Sequence, residues 1–156
     1  DNVFGWATER IAHKTADAGR PAYFYVFDHC YPSMAARDLC SFHASELPFV
    51  FGTTGNARSY PPEWPEPLAS EAETLSEVLV DYWASFARTG RPESERGPDW
   101  TPYNENEAYL HIGDVPALRH DPYPGMFEFH EGLYRQRHSA GDGWFLGVGL
   151  SAEPLE

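Results

Sequence analysis

The stretch Ala22–Phe27 constrains the fold more than any other part of the chain. Its sequence, AYFYVF, is apolar on both faces and strongly β-prone. This pattern is typical of a central strand in a parallel sheet that helices cover on both sides. A parallel strand needs neighbours joined to it by crossovers, and the rest of the sequence does not supply them. We therefore predict an α/β fold in which this strand pairs with strands from outside these 156 residues.

Helical periodicity is clearest over residues 71–88. The preceding segment, SEAE at Ser70–Glu73, matches a capping box, and Gly90 follows the last turn. Apolar residues then recur at i, i+3, i+4 and i+7, which is the spacing of one helix face. The face that we expect to pack carries Leu75, Val78, Leu79, Tyr82, Trp83 and Phe86.

A helix is also predicted over residues 1–18. Asp1 or Asn2 could cap its start, and Gly19 follows its end. The apolar positions near helical spacing are Val3, Phe4, Ala7, Ile11 and Ala12.

Three weaker signals complete the pattern. Pro48 suits the first turn of a short helix, and residues 108–114 predict a short strand. Gly125–His138 predicts a final helix, although Gly132 weakens the pattern, and the tail from Ser139 is expected to be irregular. One side of the final helix would carry Met126, Phe129, Leu133 and Arg137.

Charge and composition exclude several classes of function. The net charge is −13 and there is no basic run, so phosphate backbones would be repelled and nucleic acid is not an expected partner. No stretch approaches the roughly 18–20 apolar residues of a membrane span. No histidine or cysteine spacing supports a zinc site, and we expect neither a metal nor a cofactor. The chain opens at Asp1 without Met or a signal-like segment, and we expect it to be cut from a longer product.

Two cysteines, Cys30 and Cys40, lie in a predicted loop over residues 28–42. A disulfide between them would close the loop just before His43 and contribute about 2–3 kcal/mol to stability. Alternatively, both are reduced. A disulfide would favour an oxidising compartment, and therefore a secreted or periplasmic protein, whereas reduced cysteines would favour the cytoplasm.

His43 follows that loop and precedes Glu46 and an apolar run, Leu47–Phe51. A histidine at the edge of a packed segment can be a positioned base, or it can be a surface residue with no chemical role. Spacing alone favours the second interpretation. The other six histidines are scattered and predict no chemistry: His13, His29, His111, His120, His130 and His138.

Three segments resemble the type-B carboxylesterases, the group that includes the cholinesterases. PAYFYVFDH resembles the strand that leads to the family's histidine loop, and FHASELPFVFG resembles the motif Phe-His-Gly-x-Glu-Leu-Pro-Tyr-Val-Phe-Gly. The third segment, LSEVLVDYWASFARTGRPE followed by WTPYNENEAYLHIG, resembles the family's Tyr-Trp-x-x-Phe-Ala-x-x-Gly-x-Pro helix and its last strand. The resemblance covers Pro21–Gly113 and is weak beyond it.

This resemblance implies an α/β-hydrolase fold, of which residues 1–156 would be the C-terminal portion of a single domain. It implies a carboxylic-ester hydrolase of the serine type (EC 3.1.1), in which His43 is the catalytic general base and Glu46 helps to order the site behind it. The partners would be a small-molecule ester and the N-terminal part of the same enzyme. Ala44 departs from the family, which has glycine there, and alanine would be strained if that position requires a positive φ.

Much of the catalytic machinery is not in this sequence. The nucleophile elbow Gly-x-Ser-x-Gly and a Gly-rich oxyanion segment are both absent, and the acid is expected before Asp1. We therefore expect this chain to be inactive alone, with an incomplete triad. One alternative is a non-catalytic, cholinesterase-like interaction or adhesion module, because the family's fold also serves proteins that lack the triad. Another is an independent small binding module, which the lone parallel-type strand argues against.

Overall fold

A computed structural model describes residues 4–56, 64, 69–103 and 106–141. Within those residues the chain forms two compact units. The second unit, Tyr25–Thr101 and Tyr109–Arg119, holds most of the sheet and three helices, whereas the first holds the first and last helices. In chain order the elements are α1 (Gly5–Asp17), β1 (Phe24–Phe27), α2 (Pro32–Ala35), α3 (Leu47–Val50), α4 (Ala69–Thr89), β2 (Ala108–Ile112), β3 (Ala117–His120) and α5 (Met126–Ser139).

The three strands form one sheet in the order β1-β2-β3. The amide of Asp28, just after β1, donates a hydrogen bond to the carbonyl oxygen of Ile112 at the end of β2, 2.8 Å away. The carboxyl ends of β1 and β2 therefore meet, as in a parallel pair. Only four residues separate β2 from β3, and a connection this short joins antiparallel strands.

The predicted strand at residues 22–27 is present as β1, but it does not lie in the middle of the described sheet. It occupies one edge, and three of its four residues are only half-buried. Its observed neighbour is β2 of the same chain, so the expectation that these 156 residues supply no partner for the strand is wrong. Pairing of its other edge with strands from outside these residues stays a prediction. The strand predicted over 108–114 is confirmed as β2, whereas β3 was missed because its four residues do not alternate in polarity.

Helix α4 confirms the predicted helix over 71–88 and packs on α3. Leu75, Val78, Leu79 and Tyr82 are all at most 5% exposed. Phe86 was predicted to pack and is 48% exposed, so that part of the prediction is wrong. Ser85 is buried instead, because the segment after the helix folds back over it and the amide of Glu93 donates a hydrogen bond to Ser85 Oγ at 2.6 Å. The proposed cap at Ser70 lies outside the described side chains.

Helix α1 forms where predicted, and of the apolar positions named for it Ala12 is buried. Phe4 and Ile11 are 68% and 67% exposed. The buried residues are Gly5, Trp6, Glu9 and Ala12. The helix ends before Gly19, which has φ +70° and suits the left-handed position after a helix. The caps proposed at Asp1 and Asn2 lie outside the described residues.

The final helix is confirmed as α5, and two of the four residues predicted along one side of it, Leu133 and Arg137, are half-buried. Met126 and Phe129 are 40% and 58% exposed. The side that meets α1 carries His130 and Tyr134, whose rings lie 6.3 and 5.8 Å from the indole of Trp6. Most of the tail predicted to be irregular, residues 142–156, lies outside the described residues. None of the helices described is long and apolar enough to span a bilayer.

Candidate active site

The segment that carries His43 leaves the end of β1 as a closed loop. Cys30 and Cys40 form a disulfide, with their Cα atoms 4.8 Å apart, so the first of the two interpretations of the cysteines is confirmed. The short helix α2 lies inside the closed loop. The covalent link ends three residues before His43 and limits how far this part of the chain can move.

His43 lies exposed on a tight turn between the loop and α3. The amide of Ser45 donates to the carbonyl of Phe42 at 3.0 Å, and the amide of Leu47 donates to the carbonyl of Ala44 at 3.2 Å. Ala44, next to the histidine, has φ +71°. This is the left-handed region, in which a Cβ atom is crowded, so the strain that the alanine could cause is present in the structure.

Glu46 ends the turn and begins α3. Its backbone carbonyl accepts hydrogen bonds from the amides of Phe49 and Val50, each at 3.0 Å. Its side chain is half-buried. Burial raises the pKa of Tyr25 on β1, and the negative charge of Glu46 raises it further. His43 and Glu46 therefore belong to one turn, in which the histidine is exposed and the glutamate is half-buried.

Helix α3 anchors this turn in the core of the second unit. Pro48 lies in its first turn, as predicted. Phe49 is fully buried, 5.6 Å from the ring of Phe27 on β1. The hydroxyl of Ser76 on α4 donates to the carbonyl of Phe49 at 2.9 Å. The backbone after His43 is thus fixed against both the sheet and the longest helix.

Two histidine–aspartate pairs at the carboxyl ends of β1 and β2 were missed by the sequence analysis. Nδ1 of His29 lies 3.1 Å from Oδ1 of Asp114, and Nε2 of His111 lies 3.3 Å from Oδ2 of Asp28. The partners are 85 and 83 residues apart, and neither pair shows a recognisable spacing. Within the described residues, no group of three or more His, Cys, Asp or Glu side chains could hold a metal ion.

Comparison with known proteins identifies one family. The sequence model of the carboxylesterase family matches residues 1–130. A medium-chain fatty acyl-CoA hydrolase precursor of Anas platyrhynchos is 37% identical over 119 residues, which are 72% of this chain and 19% of that protein. Liver carboxylesterase 1 of Mus musculus is 36% identical over 121 residues, 75% of this chain and 20% of that protein. The chain spans about a fifth of the length of these curated relatives.

Solved structures agree on the fold. A carboxylesterase of Geobacillus stearothermophilus superposes with a TM-score of 0.60 at 29% identity, over 78% of this chain and 24% of that one. An esterase of Clostridium hathewayi superposes with a TM-score of 0.66 at 24% identity, over 85% of this chain and 25% of that one. These neighbours have the α/β-hydrolase fold, and the predicted fold class is confirmed.

Proposed function

The chain belongs to the carboxylesterase family, and we propose that it supplies the general-base histidine, His43, of a serine carboxylic-ester hydrolase. The observation that carries this proposal is the turn itself. An exposed imidazole stands on a short segment held by the Cys30–Cys40 disulfide on one side and by buried Phe49 on the other. A base must be accessible to substrate and yet fixed in position, and this turn meets both requirements.

The chemistry needs a group that accepts and returns a proton near neutral pH, and imidazole is suited to it. His43 would take the proton of the serine hydroxyl as the serine oxygen attacks the ester carbonyl. The C–O bond to the alcohol then breaks, and His43 would return the proton to that leaving group, which leaves an acyl-enzyme. In the second half, His43 would take a proton from water as the water oxygen attacks the acyl-enzyme carbonyl. The C–O bond to the serine then breaks, His43 would return the proton to the serine oxygen, and the carboxylic acid would leave.

We propose that the serine, the acid and the oxyanion donors belong to an N-terminal part of the same enzyme, and that residues 1–156 form the C-terminal portion of its single domain. The chain covers only about a fifth of the length of its relatives, which supports this proposal. So do the open edge and half-buried residues of β1, and the exposure of Leu47 and Phe51 on the outer side of α3 (44% and 72%). The chain alone would then be inactive.

Glu46 would act behind the histidine rather than as the triad acid. Its negative charge acts on Tyr25 of β1, whose pKa it helps to raise, and its backbone begins α3. The carboxylate that orients His43 would come from the N-terminal part. A non-catalytic interaction module, the alternative function, would have no need of a histidine held on such a turn.

The expected substrates are small-molecule carboxylic esters, as the family implies. The disulfide favours a secreted or periplasmic enzyme. No cofactor takes part in the reaction proposed.

The test is ester hydrolysis by the complete enzyme, wild type against His43→Gln. Glutamine keeps a polar side chain of similar size but cannot act as a base at neutral pH. We expect the circular dichroism spectrum to be unchanged and kcat to fall by about 10⁴-fold or more. His120→Gln, a second exposed histidine, is the matched control and should retain activity. A folded His43→Gln enzyme with near-normal turnover would show that His43 is not the base.

A further inference from the structure

We propose that His29 is a positioning residue for His43, and that the pair His29–Asp114 sets the placement of the turn that carries the base. This inference rests on the function proposed for His43. His29 directly follows Asp28, whose amide fixes the end of β1 to β2. It is therefore attached directly to the hydrogen-bonded end of β1.

Both flanks of the His43 turn meet His29. On the N-terminal side, the hydroxyl of Ser41 donates to the carbonyl oxygen of His29 at 3.1 Å. On the C-terminal side, the ring of Phe49 meets the imidazole of His29 edge to face, with centroids 5.4 Å apart. The turn between Ser41 and Phe49 is thus held at both ends by one residue.

The contact with Asp114 fixes the orientation of that imidazole. A carboxylate accepts hydrogen bonds and does not donate them, so Nδ1 of His29 carries the proton in the 3.1 Å contact with Oδ1 of Asp114. Nε2 is buried and has no hydrogen-bond partner among the described residues. The other tautomer would place its proton on this buried atom as an unsatisfied donor, which is unfavourable. The surroundings therefore favour one tautomer and one ring orientation.

The disulfide cannot do this alone. The Cys30–Cys40 bond limits the distance between the two ends of the loop, but His43 comes three residues after the link and can still rotate about the intervening backbone. The Ser41 hydrogen bond and the Phe49 ring contact lie on either side of His43 and restrict this rotation. Without the Nδ1–Asp114 contact, the imidazole of His29 can rotate away from Phe49. The segment that carries His43 then loses one of its two contacts with His29.

The experiment uses the complete enzyme and two variants that break the pair from opposite ends. Asp114→Ala removes an acceptor whose side chain is 83% exposed, so the variant should fold. His29→Phe keeps a ring against Phe49 but cannot donate to Asp114. We expect each to lower kcat by about 10- to 100-fold, the scale of a small misplacement of a catalytic group, with KM within about twofold. The double variant should be no worse than the more impaired single variant, because both changes break the same contact.

Two controls separate positioning from general loss of stability. Asp114→Asn keeps an acceptor oxygen and should restore most of kcat. Asp28→Ala breaks the neighbouring aspartate–histidine pair and should leave kcat unchanged, because the carboxylate of Asp28 pairs with His111 on β2.

The outcomes are distinct. Wild-type kcat in Asp114→Ala, or a parallel change of kcat and KM that Asp114→Asn does not restore, would overturn the role of His29. If that happens while His43→Gln is inactive, the function proposed for His43 survives and the positioning role alone fails. An active His43→Gln enzyme would overturn both.

Discussion

The hydroxyl of Tyr103 donates a hydrogen bond to Oε1 of Glu9, 3.0 Å away, in the core of the first unit. Nε2 of His13 lies 3.1 Å from the same hydroxyl oxygen. A tyrosine has one hydroxyl proton, so when it is directed at Glu9 the imidazole donates to the tyrosine oxygen. The other carboxylate oxygen of Glu9, Oε2, is buried without a partner among the described residues. The surroundings of Glu9 therefore disfavour the negatively charged form of its carboxyl group.

Burial of this carboxyl group predicts a pH-dependent stability. Burial raises the pKa of Glu9 to about 7, against the opposing effect of the Tyr103 hydrogen bond. Because the pKa of Glu9 in the folded protein lies above its ordinary value of 4.5, the stabilising contribution is complete below about pH 4.5 and is lost as the pH rises through about 7. We expect the free energy of unfolding of the complete protein to fall by up to about 3 kcal/mol over this window.

Glu9→Gln should remove that dependence, because glutamine still accepts the Tyr103 hydrogen bond and never ionises. The variant should be more stable than wild type at pH 8 and similar at pH 5, as measured by urea unfolding at each pH. Glu95→Gln, at an exposed glutamate, is the control and should follow the wild-type curve. Parallel curves for wild type and Glu9→Gln would contradict the prediction.

Local patterns predicted the elements better than they predicted the packing. The helix over residues 71–88 and the strand within 22–27 were identified because each carries its own periodicity. The packing of α1 against α5 was not predicted, because hydrophobic periodicity does not register the polar and charged groups that join the two helices. These include Arg10, whose Nε lies 3.0 Å from Oε2 of Glu131 and whose guanidinium lies over the ring of Tyr134.

The residues of the candidate site also fall into two groups, those that a local pattern identified and those that it did not. His43, Glu46 and the two cysteines lie within one stretch of 17 residues, 30–46, and motif and spacing were enough to bring them together. His29 was treated as a scattered histidine because its partner Asp114 is 85 residues away. A contact across that separation depends on the register of β1 against β2, which no local pattern specifies.

Ala44 should gain stability when replaced by glycine. Its φ of +71° costs an L-residue about 1–2 kcal/mol, and glycine avoids this at the expense of a more flexible unfolded chain. We expect Ala44→Gly to raise the free energy of unfolding by about 0.5–1 kcal/mol. Ala36→Gly is the matched control: its φ is −63°, and glycine there should destabilise the protein by about 0.5–1 kcal/mol. An equal loss in both variants would contradict the strain at Ala44.

Reduction of the Cys30–Cys40 disulfide should destabilise the protein by about 2–3 kcal/mol, because the unfolded chain regains the freedom of a ten-residue loop. Denaturant unfolding of the complete enzyme with and without reductant would measure the difference. Replacing both cysteines with serine should give the reduced value and abolish sensitivity to the reductant. If wild type were equally stable in both conditions, the bond would not contribute to folding.

The attachment of α5 to α1 should depend on Arg10. Its guanidinium carbon lies 4.3 Å from the ring centroid of Tyr134 and 5.8 Å from that of Trp6, and its Nε lies 3.0 Å from Oε2 of Glu131. A planar guanidinium can stack on a ring and donate to a carboxylate at once, whereas the ammonium of lysine cannot reproduce that geometry.

Arg10→Lys should therefore weaken the docking of α5 by about 1–2 kcal/mol. The backbone amides of α5 should then exchange hydrogen about 5- to 30-fold faster in the complete protein. The control is Arg135→Lys. Arg135 pairs with the same Glu131 at 3.6 Å, but its side chain is 77% exposed, and an exposed pair of this kind contributes little. Exchange in α5 should then match wild type. Equal protection of residues 126–139 in Arg10→Lys would mean that the aromatic contacts of Trp6 with His130 and Tyr134 hold the helix without the arginine.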